Sequence, residues 1–218
     1  MGLALRFKKS VYGNVPSHWE TKKISELDQS KNCVITGPFG SLLHSYDYED
    51  SGHPLILVQH VKNGRILRGN LPKIGEKKYA TLSKFILKGD IVFTRVGYVG
   101  ESAYIEEENE GWLISGQMLR IRINNPQINN RFLSILFLTD KFRSLSQSVV
   151  LGSTRDSINT QILKDIPVLV PPKEEQDKIV SIIHPIGEAI IQNEKRNALL
   201  VDIRNSLLPK LISGKIRI

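Results

Sequence analysis

Pro171 and Pro172 divide this chain more sharply than any other feature. From Lys173 to about Leu208 no cluster of turn residues interrupts the sequence, and the first turn of that stretch holds Glu174, Glu175 and Asp177. Proline is tolerated at a helix start, and acids there meet the positive end of the helix dipole. The spacing therefore predicts a helix. At about 1.5 Å per residue it would reach some 50 Å, longer than a neighbouring domain needs, so it must pack on something else. With Ile179 at an a position, Ile179, Ile186, Asn193, Leu200 and Leu207 fall along a, and Ile182, Ala189 and Ile203 along d, with Arg196 breaking the fourth d. Two readings follow: a coiled-coil-like seam with a partner helix, its register fixed by Asn193, or an amphipathic helix folded back on its own domain. Pro185 lacks an N–H and clashes with the preceding turn, which predicts a kink near His184 or a second helix beginning at Pro185. His184 itself reads as a surface residue.

Residues 1–172 have a different texture, with short apolar runs broken by Gly, Pro, Asn and Asp. Pro54–Val61, Asp90–Arg95, Trp112–Ser115 and Met118–Ile123 read as strands. Glu108, Asn109, Glu110 and Gly111 between two such runs predict a hairpin turn with a solvated acidic tip. Asn129 to Ser146 places Phe132, Ile135, Leu136, Leu138, Phe142 and Leu145 three or four apart, predicting one helix late in this domain. The expected fold class is α+β: a mixed, mainly β domain over 1–172 and a long C-terminal α-helix over 173–218, read as pairing with a partner helix in the first of those two readings. The chain holds no internal repeat of 20 to 50 residues.

Net charge is +8, and its placement matters more than its size. Between Ser51 and Gly100 nine Lys and Arg stand against two acids, Glu76 and Asp90. Clustered cations attract phosphates by Coulomb steering and counterion release, so the stretch reads either as a nucleic-acid footprint or as a solvated basic face. No apolar run approaches the roughly 18 residues that span a bilayer, and Met1 to Ser10 turns basic before a signal core forms. The expected location is the cytoplasm, with no membrane partner. Cys33, the one cysteine, reads as a buried apolar residue.

Catalytic chemistry finds no support in the sequence. An amino-methyltransferase needs Asn or Asp before Pro-Pro-aromatic, whereas Val170 precedes and Lys173 follows the Pro-Pro here. No dinucleotide glycine run and no Gly-Lys-Ser/Thr phosphate loop occurs. Asp50, Glu76 and Lys78 match a metal-nuclease set only loosely. His18, His44, His53, His60, His184 and Cys33 show neither metal spacing nor a nucleophile with its base. The expectation is a chain that is not an enzyme and carries no catalytic residue, cofactor or metal of its own.

Loop chemistry suits nucleic-acid contact instead. Gly37 and Gly40 around Pro38 and Phe39 predict a tight turn whose amides can approach a phosphate, with Ser41 adding a hydroxyl. Arg95 and Tyr98, between Gly97 and Gly100, and Thr154 and Arg155 after Gly152 place long donors on loop tips. Arg95 and Arg155 are the candidates for base or phosphate contact, since a guanidinium can pair with guanine through two bonds. Lys62, Arg65, Arg68, Lys77 and Lys78 are the candidates for backbone positioning. The other reading, that these glycines merely permit hairpins and bulges, remains open.

Four patches together resemble one family. Gly13, Pro16 and Trp19 look like the opening G-x-x-P-x-x-W of the specificity subunits of type I restriction-modification systems. Gly37-Pro38-Phe39-Gly40-Ser41 with Asp47, Tyr48, Gly52 and Pro54 is similar to their GPFGS…DY…G-x-P segment. Gly89-Asp90-Ile91 with Thr94, Arg95, Gly97 and Gly100 resembles GDI…TR-x-G-x-x-G. Gly152-Ser153-Thr154 through Ile158, Pro167, Pro171, Pro172, Glu175, Gln176 and Ile179 resembles the join of recognition domain to spacer. The resemblance implies a sequence-specific DNA-binding subunit. Full-length members carry two recognition domains and two spacers, whereas this chain has one of each. It would thus read one half of a bipartite double-stranded DNA site and form a homodimer through its C-terminal helix. It would recruit methyltransferase subunits, and with them a restriction subunit. The alternative is a scaffold that docks on methyltransferase subunits and binds little DNA itself.

Overall fold

The computed structural model describes residues 6–151, 157–213 and 216. The chain divides into two compact units, Met1–Gln176 and Asp177–Ile218.

The first unit opens with a hairpin of β1 (Phe7–Ser10) and β2 (Gly13–Pro16), closed where Ser10 faces Gly13. Strand β3 (Glu20–Lys23) leads into the single turn α1 (Ile24–Leu27), and β4 (Val34–Thr36) follows. Next come β5 (Tyr48–Glu49), β6 (His53–Ile56), the tight pair β7 (Val61–Lys62) and β8 (Arg65–Ile66), β9 (Lys73–Ile74) and α2 (Glu76–Thr81). Strands β10 (Ile91–Thr94), β11 (Ser102–Tyr104), β12 (Leu113–Ile114) and β13 (Met118–Ile121) complete the sheets. Helices α3 (Asn130–Phe137), α4 (Asp140–Leu151) and α5 (Thr160–Asp165), strand β14 (Pro167–Val170) and helix α6 (Lys173–Ile212) finish the chain. The fold is mixed α+β with a long C-terminal helix.

An antiparallel sheet, ordered β11-β10-β13-β4, is the centre of the first unit. All four residues of β10 and of β13 are buried, because both faces of the sheet are covered. On one face Phe93 meets the edges of Phe137 and Phe142, which stack on each other at 4.2 Å. Its neighbour Val92, on the opposite face by strand alternation, packs with Ile56, Ala103, Ile114 and Met118. A second sheet, β12-β6-β9-β5, thus backs the first, with its own cluster of Leu55, Ile74, Leu82, Phe85 and Leu113. Cys33 is buried among the apolar residues.

Asp90, fully buried, holds the sheet at its far end. Arg122 grips it through Nε–Oδ1 at 2.6 Å and Nη2–Oδ2 at 2.7 Å, and the Lys88 amide donates to Oδ2 at 2.7 Å. The Gly-Asp-Ile element of the sequence is therefore an internal ion pair.

Two expectations are corrected. The segment Asn129–Ser146 forms two helices, because Leu138 ends α3 and the Thr139 hydroxyl receives the Phe142 amide at 3.3 Å to start α4. The apolar spacing survives the break because Phe137 and Phe142 still stack on the same core. Residues 108–111 do not close a hairpin. Gly111 has φ of 83°, as expected, but β11 before it belongs to the first sheet while β12 after it runs parallel to β6 in the second. A turn residue reports a reversal of direction, not which strand the chain joins next. Nor is the tip wholly solvated, since Asn109 is buried.

The last turn of the first unit starts α6. Gln176, 1% exposed, donates from Nε2 to the carbonyls of Pro171 and Gln127 and accepts the Asn129 amide at Oε1. Helix α6 continues through Pro185 and Pro209 as one element, so Pro185 does not open a second helix. Among the described residues no helix is long and apolar enough to cross a membrane.

Candidate nucleic-acid interface

Strand register brings three glycine-bearing loops to one end of the first sheet. Thr36 pairs with Leu119, Thr94 with Met118 and Phe93 with Ser102. The chain therefore leaves β4, enters β13, leaves β10 and enters β11 at the same edge. Gly37 donates its amide to the Met118 carbonyl at 3.0 Å, and Arg95 donates its own to the Gln117 carbonyl at 3.2 Å. A methyl on Gly37 would overlap the Ser115 carbonyl, and one on Gly116 would come within 2.5 Å of the Phe39 Cβ. The 37–41 turn can lie against Ser115-Gly116-Gln117 only because both positions lack side chains.

Thr94 closes the third loop. Its hydroxyl donates to the Tyr98 carbonyl at 2.5 Å and receives the Glu101 amide at 3.0 Å, while Gly97 and Gly100 take φ of 70° and 97°. The turn leaves Tyr98 78% exposed, and Phe39 on the neighbouring loop is 63% exposed. Arg95 sits at the end of β10, half-buried, instead of at the loop tip. Its Nε is buried without a hydrogen-bond acceptor among the described residues. Ile158 donates to the Arg95 carbonyl at 3.0 Å, so the chain rejoins this edge two residues after the segment 152–156. Thr154 and Arg155 themselves lie outside the described residues.

The β7–β8 hairpin reaches the same edge. Asn63 and Gly64 have φ of 50° and 80°, the type I′ geometry that suits a two-residue hairpin. Gly64 bridges to Ala103, and the Asn63 amide donates to Glu101 Oε2 at 2.7 Å. Lys62 and Arg65 face each other across the hairpin.

The remaining positioning candidates lie elsewhere. Arg68 pairs with Glu108 at 2.6 Å, and Lys78 lies 3.3 Å from Asp47. The His44 backbone amide first, and then Lys78, hold the Asp47 carboxyl below its ordinary range. Lys77 is exposed on α2, whose Tyr79 stacks on His53 beside the second sheet. Sequence spacing had grouped these cations with Lys62 and Arg65 by proximity in the chain. Internal carboxylates occupy two of them. The Gly37 amide is likewise committed to Met118, which leaves Gly40, Ser41 and Phe39 as the exposed part of that turn.

In the second unit, Ile179 is half-buried, and Ile182, Ile186, Ala189, Asn193, Leu200, Ile203 and Leu207 are exposed in the isolated chain. Ile183, Ile190 and Leu211 are exposed as well, at the e positions of the same heptad. The apolar stripe is therefore broader than the a/d seam read from the sequence.

A family model described as the type I restriction modification DNA specificity domain matches residues 16–200. The chain belongs to that family.

Relatives of this specificity-domain chain cover nearly all of it. The type I restriction enzyme MjaVIII specificity subunit of Methanocaldococcus jannaschii is 22% identical over 217 residues, 97% of this chain and 49% of the relative. The HindI specificity subunit of Haemophilus influenzae is 25% identical over 210 residues, 93% of this chain and 42% of the relative. The crystal structure of the type I S subunit from M. genitalium superposes with a TM-score of 0.62 at 16% identity, covering 89% of this chain and 46% of that one. The chain spans about half the length of the relatives it matches.

Sequence reasoning about this specificity-domain chain missed Glu101 and the Asn63-Gly64 turn, and named Thr94 only within a family-like patch without its loop-closing role; together the three join two of the three basic or aromatic loops. Asn-Gly between Val61-Lys62 and Arg65-Ile66 was the available signal for the hairpin. Nothing local marks Glu101, whose role depends on an amide 38 residues away. Among the described residues no group of three or more His, Cys, Asp and Glu is arranged to hold a metal.

Proposed function

We propose that this chain is a DNA-reading specificity subunit. In this reading residues 1–172 are the target recognition domain and 173–218 the spacer, and the edge of the β11-β10-β13-β4 sheet faces double-stranded DNA. The observation that carries it is the convergence of the 37–41 turn, the Arg95–Tyr98 loop and the Lys62–Arg65 hairpin on that one edge. Phe39 and Tyr98 offer faces to bases, Arg95 a donor fork, and Lys62 and Arg65 charge to the phosphates. The broad apolar stripe of α6 pairs with the same helix of a second copy, giving two recognition domains and a site read as two separated halves. Methyl transfer and cleavage belong to methyltransferase and restriction subunits docked on this assembly, and the chain performs no reaction itself.

Light scattering on the protein alone, followed by titration with random-sequence duplex at two salt concentrations, tests this directly. A particle of twice the chain mass whose DNA affinity drops steeply as salt rises supports the reading. A protein that ignores DNA at low salt overturns it and favours a scaffold for methyltransferase subunits.

A further inference from the structure

A carboxylate lies within the basic edge, where it repels the phosphates that Lys62 and Arg65 would attract. Glu101 is 23% exposed and stands immediately before β11. Its backbone belongs to the Tyr98 loop: its amide donates to the Thr94 hydroxyl at 3.0 Å, and its carbonyl accepts the Thr94 amide at 2.9 Å. Its side chain belongs to the hairpin, accepting the Asn63 amide at Oε2 at 2.7 Å, with Arg143 Nη2 at 3.7 Å. That amide starts the turn between Lys62 and Arg65. One residue thus ties the charge-bearing hairpin to the loop that carries Arg95 and Tyr98.

We propose that Glu101 is a positioning residue for DNA recognition. It fixes where Lys62 and Arg65 meet the backbone relative to Arg95 and Tyr98, at the cost of a local repulsion. The role rests on the DNA-reading assignment above. Phosphate contacts set the register in which other side chains reach base edges, so loosening this tie degrades discrimination between sequences. General attraction for DNA does not suffer, because removing Glu101 also removes a negative charge. A residue that merely supported the fold would lower specific and non-specific binding together.

The test enriches a bound sequence from a random duplex library with the wild-type protein, then compares affinity for that sequence and for random duplex in Glu101→Gln and Glu101→Ala. Glutamine keeps an oxygen for the Asn63 amide, whereas alanine does not. The expected result is a specific-to-random ratio lowered by at least about tenfold in E101A and little changed in E101Q, with random-duplex affinity equal to or above wild type in both. An unchanged ratio in E101A, or parallel loss of both affinities, overturns the proposal. Amide hydrogen exchange without DNA provides the independent arm. Asn63 should be protected in the wild type and E101Q and exchange faster in E101A, and equal rates in all three overturn the tie. If the wild type enriches no sequence and binds no duplex, the DNA-reading assignment falls while the exchange result still decides whether Glu101 holds the hairpin.

Discussion

Trp19 and Glu175, 156 residues apart in the chain, meet through a hydrogen bond of 2.8 Å from the indole Nε1 to Oε2, while His18 Nε2 lies 2.7 Å from the other carboxylate oxygen. The opening Pro-x-x-Trp element and the start of α6 are thus one structural joint. Gln176 beside it serves three backbone groups from a buried position.

The joint predicts a graded loss of stability. Trp19→Phe removes one donor and should cost about 1 kcal/mol, whereas Gln176→Leu strands the Asn129 amide and two carbonyls and should cost on the order of 3 kcal/mol. Urea unfolding followed by circular dichroism measures both. Equal costs would show that the indole bond matters as much as the buried amide.

Asp90 should behave as a buried ion-pair partner. Asp90→Ala leaves Arg122 and the neighbouring Arg120 uncompensated, and a loss of about 3 kcal/mol or more is expected. In a double-mutant cycle with Arg122→Met the two changes should couple by more than about 1 kcal/mol. Additive changes would mean that the pair is energetically idle.

His60 gives the fold an acid-sensitive point. It is buried, its Nδ1 accepts the Leu57 amide at 3.1 Å, and burial holds its pKa below the ordinary histidine value. The unfolded chain then binds a proton that the folded chain refuses. Stability is therefore full above about pH 6.5 and falls as pH drops through that value toward the folded pKa. His60→Asn keeps an acceptor but does not titrate, so its stability should fall less than the wild type's between pH 7.5 and pH 5.5, on the scale of histidine titration. Parallel curves would assign the acid sensitivity to other groups.

Alanine substitutions should separate the basic residues into two classes. Lys62→Ala and Arg95→Ala should each weaken binding to random duplex and lower the slope of log affinity against log salt by about one. Arg68→Ala and Lys78→Ala should change it less, since Glu108 and Asp47 already pair with those side chains. A loss at Arg68 as large as at Lys62 would move the DNA surface toward the second sheet.

Gly37 and Gly40 differ although they share a turn. Gly37→Ala drives a methyl into the Ser115 carbonyl and should cost about 1–3 kcal/mol or displace the loop. Gly40, with φ of 59° and open space around it, should cost on replacement by alanine only about 1 kcal/mol of backbone strain. Thermal unfolding of the two variants decides this.

Local chemistry wrote the long helix, its acidic first turn and the buried strands β10 and β13 into the sequence, because proline geometry, helix dipoles and apolar runs act within a few residues. The four family-like patches were legible for the same reason. Helix α6 passes through Pro185 nonetheless, so a missing donor at one position did not break an element with this much remaining helical hydrogen bonding. Only the tertiary structure decided that residues 129–146 bend at Thr139, that Asp90 is an internal counter-ion, and that Arg68 and Lys78 have acidic partners. It alone also brought the Gly37 turn, Arg95, Tyr98, Lys62 and Arg65 to one sheet edge. Those outcomes depend on strand register and on pairs as distant as Asn63 and Glu101, and no spacing within the chain encodes a meeting made through the register of several strands.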